Sequence, residues 1–156
     1  MEIRRASVSD AAEIAAVHVR TWQAAYQDVF GTERLAALDT PRRIAGWTRA
    51  LEEGESIFVA DDAGSVVGFV ALGACEVRAI YALPEAWGRG AGPDLMRAAI
   101  AQLRDDGCVE AFLWVLEDNP RARRFYEREG WGVDGARKED DFLGVRVAEV
   151  RYRISL

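Results

Sequence analysis

The sequence predicts a single α/β domain built around a mixed β-sheet, and three observations support this fold class. The chain has 156 residues, the usual size of one domain, and 50% of them are hydrophobic, which is enough for a buried core. Segments with strand-like alternation and segments with helical periodicity follow one another along the whole chain. No repeat, low-complexity tract or linker interrupts them, so we expect one domain over residues 1–156.

The first half of the chain predicts one strand and two helices. Residues 2–6 alternate as a strand does, and the capping-type segment SVSD then predicts a helix over about 10–27. A second helix is expected to begin with Thr40 as its cap and Pro41 in its first turn. Gly54 is expected to end this helix.

The centre of the chain predicts a hairpin, a further strand and a helix. The segment SIFVADDAGSVVGFVAL is typical of two strands joined by an Asp-Asp-Ala-Gly turn. Residues 75–83 predict the next strand. A glycine-rich stretch follows, and helical spacing then predicts a helix over about 91–106 that ends at Gly107.

The last third predicts a buried strand, a short helix and a closing strand. Residues 109–116 are hydrophobic nearly throughout, as in a central strand that is covered on both faces. The short helix after them is expected to have Asn119 as its cap, Pro120 in its first turn and Gly130 as its stop. Residues 145–154 alternate and predict the last strand.

Composition argues against several classes of function. The net charge is −6, which argues against general nucleic-acid binding. No hydrophobic run approaches the ~20 residues of a membrane helix, and the N-terminus lacks a signal-peptide pattern, so we expect a cytoplasmic protein. A single His leaves little for a His-based metal site, and no metal is expected. Cys75 and Cys108 lie in or beside hydrophobic runs, which favours buried reduced thiols over a disulfide or redox pair.

The stretch LPEAWGRGAGPDLM places Gly88, Gly90 and Gly92 directly before a helix. The first turn of a helix has free N–H groups and the positive end of the helix dipole, so it attracts anions such as phosphate. Glycine lets the backbone approach a phosphate without a Cβ in the way, and Arg89 adds a positive charge. A tight strand-to-helix turn that needs positive φ would explain the glycines equally well. The P-loop and dinucleotide-binding patterns are both absent.

The segment WGRGAG, residues 87–92, resembles the pyrophosphate loop of the GCN5-related N-acetyltransferase superfamily. Trp87 departs from the Gln or Arg that is usual at the first position, and Pro93 removes one backbone donor. The segments VRAIYALPEAWGRGAG and LWVLEDNPRARRFYEREGW resemble the family's fourth strand with its loop and its fifth strand with its fourth helix. The resemblance covers nearly the whole chain and implies a mixed, mostly antiparallel sheet flanked by about four helices.

The resemblance also implies that acetyl-CoA is the co-substrate and that its acetyl group moves directly to an amine. Pantetheine would lie along the fourth strand like an added strand, with a backbone N–H polarising the carbonyl, although ordinary strand pairing would also explain this segment. The residues implied to contact acetyl-CoA are Ile80, Tyr81, Ala82, Trp87, Gly88, Arg89, Gly90, Ala91, Gly92 and Asn119.

Two side chains match catalytic positions of the family. Tyr126 matches the tyrosine that protonates the departing thiolate, and a tyrosine packed in the core is the alternative. Glu76 lies fourteen residues before Gly90 and matches the glutamate that removes the amine's proton in the histone-acetylating branch. Because Arg78 shares its strand face, Glu76 is alternatively one half of a surface ion pair.

The acceptor side carries weaker signals. Trp22, Tyr26, Glu76 and Trp114 are candidate substrate-binding residues, and the two aromatic residues of the first helix would alternatively belong to the core. The charged segment 136–145 is expected to be a hairpin-like loop at the far wall of the acceptor cleft. The acceptor is expected to be a small-molecule or peptide amine, and the last strand makes a homodimer conceivable. A non-catalytic acetyl-CoA sensor and an acyltransferase that uses another acyl-CoA are the alternative functions.

Overall fold

A computed structural model describes all 156 residues and shows an α/β fold with a seven-stranded sheet in the order β1-β2-β3-β4-β5-β7-β6. The strands are β1 Glu2–Arg5, β2 Ile57–Asp62, β3 Ser65–Gly73, β4 Glu76–Ala82, β5 Glu110–Leu116, β6 Gly132–Phe142 and β7 Val145–Ser155. Only the β4–β5 pair is parallel, and every other neighbouring pair is antiparallel. The predicted mixed, mostly antiparallel sheet is therefore confirmed.

Five helices flank the sheet, one more than expected. They are α1 Ala11–Ala25, α2 Gln27–Ala36, α3 Thr40–Glu52, α4 Ala91–Asp105 and α5 Pro120–Arg128. The single helix predicted over 10–27 is wrong at its end, because Tyr26 leaves helical geometry with φ −120° and ψ 21°. This break turns the chain so that the side chains of Tyr26 and Phe30 both become buried.

The start of α3 differs by one residue from the prediction. Asp39, and not Thr40, is the cap, because its carboxylate accepts a hydrogen bond of 3.1 Å from the Arg42 N–H. Pro41 lies in the first turn, as predicted. Gly54 follows the helix with φ +80°, so the predicted stop is confirmed.

The two faces of the sheet carry different helices. The ring of Phe69 on β3 contacts the rings of His18 on α1 and Trp47 on α3. The neighbouring Gly68 faces Leu95 on α4 instead. Because adjacent strand residues point to opposite faces, α1 and α3 cover one face and α4 covers the other. No helix is both long and hydrophobic enough to span a membrane.

The charged segment 136–145 is a strand and not a loop. Most of it belongs to β6, which pairs with β7 from Arg137 opposite Val150 to Phe142 opposite Val145. As an edge strand, β6 pairs on one side only, so its charged side chains stay in solvent while its backbone is paired. The expectation of a loop is wrong because an edge strand can carry many charged side chains, so charge alone does not indicate irregular structure.

Cys75 and Cys108 form a disulfide, so the expectation of reduced thiols is wrong. The two residues are 33 positions apart, but they lie at the adjacent starts of the parallel strands β4 and β5. The Phe112 N–H donates to the Cys75 carbonyl at this end of the sheet. The order of the strands, which the sequence does not state, brings the two sulfurs together.

Candidate active site

A cavity of about 900 Å³ opens where β4 and β5 separate. The two strands pair at a single register position, Glu76 opposite Phe112, and beyond it β4 pairs only with β3 while β5 pairs only with β7. The edge of Ile80 to Ala82 that faces β5 therefore has no strand partner. A cavity of this size and shape is typical of a site that binds a small molecule.

Most of the predicted site residues converge on this cavity. Those that line it are Trp22, Tyr26, Ile80, Tyr81, Ala82, Trp87, Gly88, Gly90, Ala91, Gly92, Trp114, Asn119 and Tyr126. Arg89 and Glu76 do not line it. The Arg89 guanidinium lies 2.9 Å from the Asp62 carboxylate, so its charge is engaged away from the cavity.

The three glycines in the loop and first turn of α4 are needed for two different reasons. Gly88 and Gly90 have φ of +76° and +90°, a conformation that side chains with a Cβ rarely adopt. Gly92 has ordinary geometry, but a Cβ there would lie 3.2 Å from the ring of Phe125 on α5. The backbone N–H groups of Gly88 and Gly90 have no backbone acceptor, so they are free to bind an anion at the start of the helix.

Arg121 on α5 is a cation that lines the cavity. Its guanidinium carbon lies 3.1 Å from the centre of the Trp87 ring, next to the glycine loop. The Trp87 indole in turn donates a hydrogen bond of 2.9 Å to the Ala82 carbonyl, which fixes the ring. Burial and the nearby Arg128 lower the pKa of Arg121. The positive charge beside the loop is thus Arg121 rather than Arg89.

Asn119 has two roles within the protein. Its side-chain carbonyl accepts from the Ala122 N–H at 3.2 Å, which confirms it as the cap of α5. Its side-chain NH₂ donates to the Tyr26 hydroxyl at 3.0 Å. The amide therefore ties the start of α5 to the end of α1 and holds Tyr26 at the cavity wall.

Tyr126 on α5 is buried, with 7% of its surface exposed, and it lines the cavity. Burial is the main cause that raises its pKa, and the neighbouring Tyr81 and Tyr26 raise it further. The Tyr126 hydroxyl accordingly stays protonated at neutral pH. Three tyrosines from α1, β4 and α5 thus surround the gap between the diverging strands.

Glu76 lies at the paired end of β4, where the strands have not yet separated. The expected ion pair with Arg78 does not form, because the Arg78 guanidinium binds the Glu55 carboxylate at 3.1 Å. Glu76 therefore lies outside the cavity lining, and the alternative of a surface ion pair with Arg78 is wrong as well.

The aromatic residues of α1 belong to both the core and the cavity. The Trp22 indole donates a hydrogen bond of 3.1 Å to the Tyr81 hydroxyl, and its ring lies 4.9 Å from that of Tyr26. His18 stacks on Tyr81 with 5.3 Å between ring centres. Burial, with a contribution from Arg43, lowers the pKa of His18 to about 4, so this histidine is neutral at pH 7. Trp22 and Tyr26 thus pack in the core and also line the cavity, and their contact with the acceptor stays a prediction.

Glu149 on β7 also lines the cavity, and the sequence analysis did not identify it. Only 13% of its side chain is exposed, and burial raises its pKa. Its nearest cation is the Lys138 ammonium at 3.9 Å. The alternating EVRYR pattern indicates a strand with two different faces, but it does not indicate which face lines a cavity, so Glu149 could not be identified from it.

Comparison with known proteins identifies the family. The Acetyltransferase (GNAT) family profile matches residues 14–131. The uncharacterized N-acetyltransferase YuaI of Bacillus subtilis is 32% identical over 160 aligned positions, which cover 95% of this chain and 89% of that protein. The chain therefore belongs to the GNAT family and is an acetyltransferase.

Solved structures show the same fold. A GCN5-related N-acetyltransferase from Rhodopseudomonas palustris superposes with a TM-score of 0.84 at 23% identity, over 99% of this chain and 95% of that one. The acetyltransferase YncA from Salmonella typhimurium, solved with acetyl-CoA, superposes with a TM-score of 0.75 at 20% identity, over 99% and 93% of the two chains. These likenesses confirm the fold implied by the glycine loop and the segments around it.

Proposed function

We propose that this protein transfers the acetyl group of acetyl-CoA directly to a primary amine of a small molecule or peptide. The observation that carries the proposal is the cavity between β4 and β5, which joins a glycine loop, an unpaired strand edge and a buried tyrosine. The Salmonella protein of the same fold, solved with acetyl-CoA, supports this co-substrate. No metal is needed for the reaction as we propose it.

The pyrophosphate of acetyl-CoA would bind at the glycine loop. The free N–H groups of Gly88 and Gly90 and the first turn of α4 offer the backbone donors and the helix dipole that favour an anion. Arg121 would supply the positive charge, with its stem held against Trp87. The missing donor at Pro93 is offset by these additional contacts.

The acyl end would follow the unpaired edge of β4. A pantetheine arm can hydrogen-bond to the exposed main chain of Ile80 to Ala82, as an added strand does. A backbone N–H on this edge would then polarise the carbonyl, a preorganised donor that costs no rearrangement during the reaction. Tyr81 and Ala82 would flank the acetyl group from the same strand.

Tyr126 would serve as the general acid. The amine nitrogen bonds to the carbonyl carbon, the carbon–sulfur bond breaks, the sulfur takes the Tyr126 proton, and the nitrogen returns a proton to the Tyr126 oxygen. The raised pKa keeps the hydroxyl protonated before each turnover. General-acid help of this kind is typically worth ~10²–10⁴-fold in rate.

Release of free thiol from acetyl-CoA with a panel of amines tests this function, with mass detection of the acetylated product. We expect thiol release that depends on the amine. Tight binding of acetyl-CoA without thiol release for any amine would instead indicate a CoA-binding sensor. Faster release from longer acyl-CoAs would indicate an acyltransferase of different chain preference. The cytoplasmic location and the homodimer stay predictions.

A further inference from the structure

The proposed reaction needs a group that takes a proton from the acceptor. An alkylamine has a pKa of ~10.4, so it arrives almost entirely as an ammonium ion at neutral pH. Glu76 lies outside the cavity lining. Glu149 is the half-buried carboxylate that remains on the strands around the gap.

Glu149 and Tyr126 approach the gap from opposite faces of the sheet. The ring of Tyr126 contacts that of Tyr152 on β7, with 5.9 Å between centres, so α5 lies on the face to which Tyr152 points. Glu149 is three residues before Tyr152 on the same strand and therefore points to the other face. An acid and a carboxylate therefore reach the gap from opposite sides, so each can serve a different substrate.

The face that carries Glu149 is walled by aromatic rings. Trp114 on β5 shares this face, and Trp22, Tyr26 and Phe142 line the same cavity. A cation above an aromatic face next to a carboxylate is bound by both, and both contacts strengthen as water is excluded. The protein itself shows this geometry, because the Lys138 ammonium lies 4.3 Å from the centre of the Trp114 ring and 3.9 Å from the Glu149 carboxylate.

We propose that Glu149 binds the ammonium group of the acceptor and accepts its first proton, so that the acceptor class is a cationic primary amine that enters protonated. This inference rests on the proposed acetyl transfer. Glu149 passes the first proton to solvent, and the second N–H proton goes to the Tyr126 oxygen as the sulfur is protonated. One proton is thus released for each acetyl group transferred.

The surroundings of Glu149 suit a base. No protein donor forms a hydrogen bond with its carboxylate, so its lone pairs remain available to an acceptor. Burial and Asp140 on β6 raise its pKa, while Lys138 on the same strand lowers it. Tyr81 on β4 and Tyr26 at the end of α1 face it as neutral hydroxyls, because burial raises the pKa of both, with a smaller contribution from the Glu149 charge. A raised pKa makes the carboxylate a stronger base near neutral pH.

The test compares Glu149→Gln with the wild type on two amines. One is the alkylamine with the fastest thiol release in the panel, and the other is 2,2,2-trifluoroethylamine, which is mostly unprotonated at neutral pH. We expect Glu149→Gln to lower kcat/KM for the alkylamine by ~10²–10⁴-fold and to lower it far less for trifluoroethylamine. Glu139→Gln is the matched control, because this β6 glutamate lies outside the cavity and pairs with Arg137 and Arg146.

A pH series on kcat/KM adds a readout that a purely structural role would not change. The rate should fall on the acid side as Glu149 becomes protonated. In Glu149→Gln this limb should be replaced by a continuous rise of the rate with pH towards the amine's own pKa of ~10.4, because only the free amine then reacts. Lys138→Gln should move the limb to higher pH, because the Lys138 charge holds the pKa of Glu149 down.

Four outcomes would overturn the inference. Equal losses for both amines would make Glu149 structural, and an acid limb that disappears in Glu76→Gln but persists in Glu149→Gln would return the role to Glu76. A wild type that acetylates no amine would overturn both the inference and the proposed function. An active wild type with an equally active Glu149→Gln variant would overturn the inference alone.

Discussion

Reduction of the Cys75–Cys108 disulfide is expected to lower the free energy of unfolding by several kcal/mol. The bond closes a loop that contains β4, the glycine stretch and α4, with the two cysteines 33 positions apart. Loop-closure entropy for a chain of this length is about 12 cal/mol/K, which corresponds to about 4 kcal/mol at 25 °C. The loss would be a large part of the ~5–15 kcal/mol that stabilises an ordinary domain.

Urea unfolding of the oxidised and the reduced wild type measures this loss directly. The reduced protein is the matched control for the disulfide, because it keeps both side chains and changes only the covalent link. The double variant Cys75→Ala/Cys108→Ala should show a similar midpoint with and without reductant. The midpoint of the wild type should fall on reduction while the slope changes little.

Two results would refute this reasoning. Two free thiols in the native, unreduced protein would show that the bond does not form. An oxidised and a reduced protein of equal stability would show that the bond does not stabilise the fold by restricting the unfolded chain. Because the bond lies at the paired end of the two strands, a change in acetyl-CoA affinity on reduction would further show that this end sets the width of the gap.

Three further predictions concern the site and the core. Gly90→Val should weaken acetyl-CoA binding in calorimetry, because the added side chain would block the approach of the phosphate. The control Gly107→Val places the same side chain at a similar φ of +88° at the other end of α4 and should leave the affinity unchanged. Equal affinities for both variants would show that the glycine loop only connects β4 to α4. Tyr126→Phe should lower kcat by ~10²–10⁴-fold with little change in the Kd for acetyl-CoA, and a loss below about threefold in a saturated assay would leave Tyr126 a packing residue. The pKa of His18 is lowered from 6.5 to about 4 in the folded protein. Between these two pH values the unfolded chain binds more protons than the folded protein, so the free energy of unfolding should fall as the pH drops from 6.5 to about 4. Melting curves from pH 4 to 7 should show that His18→Gln flattens this dependence, and an unchanged slope would mean that His18 is not buried as a neutral ring.

The local signals in the sequence predicted most of the elements. Glycine and proline act on the backbone of their own neighbourhood, so Gly54, Gly107 and Gly130 mark helix ends that the structure confirms. The capping role of Asn119 was likewise readable, because a cap is a contact between residues three positions apart. The roles of the glycine loop and Tyr126 were implied by the resemblance to the family, and both line the cavity.

The contacts between distant segments were decided only by the tertiary structure. The sequence placed the Cys75 and Cys108 side chains in two separate elements, and only the parallel pairing of β4 with β5 made them a disulfide. Glu76 matched a catalytic position by counting along the chain, yet it lies where those strands still pair. Glu149 carried no local signal, and it reaches the cavity because β7 lies beside β5 in the sheet order. Neighbouring residues in the sequence determine the backbone conformation of a residue. The contacts of its side chain depend on which strands lie side by side in the sheet, and the order of the elements along the chain does not reveal this.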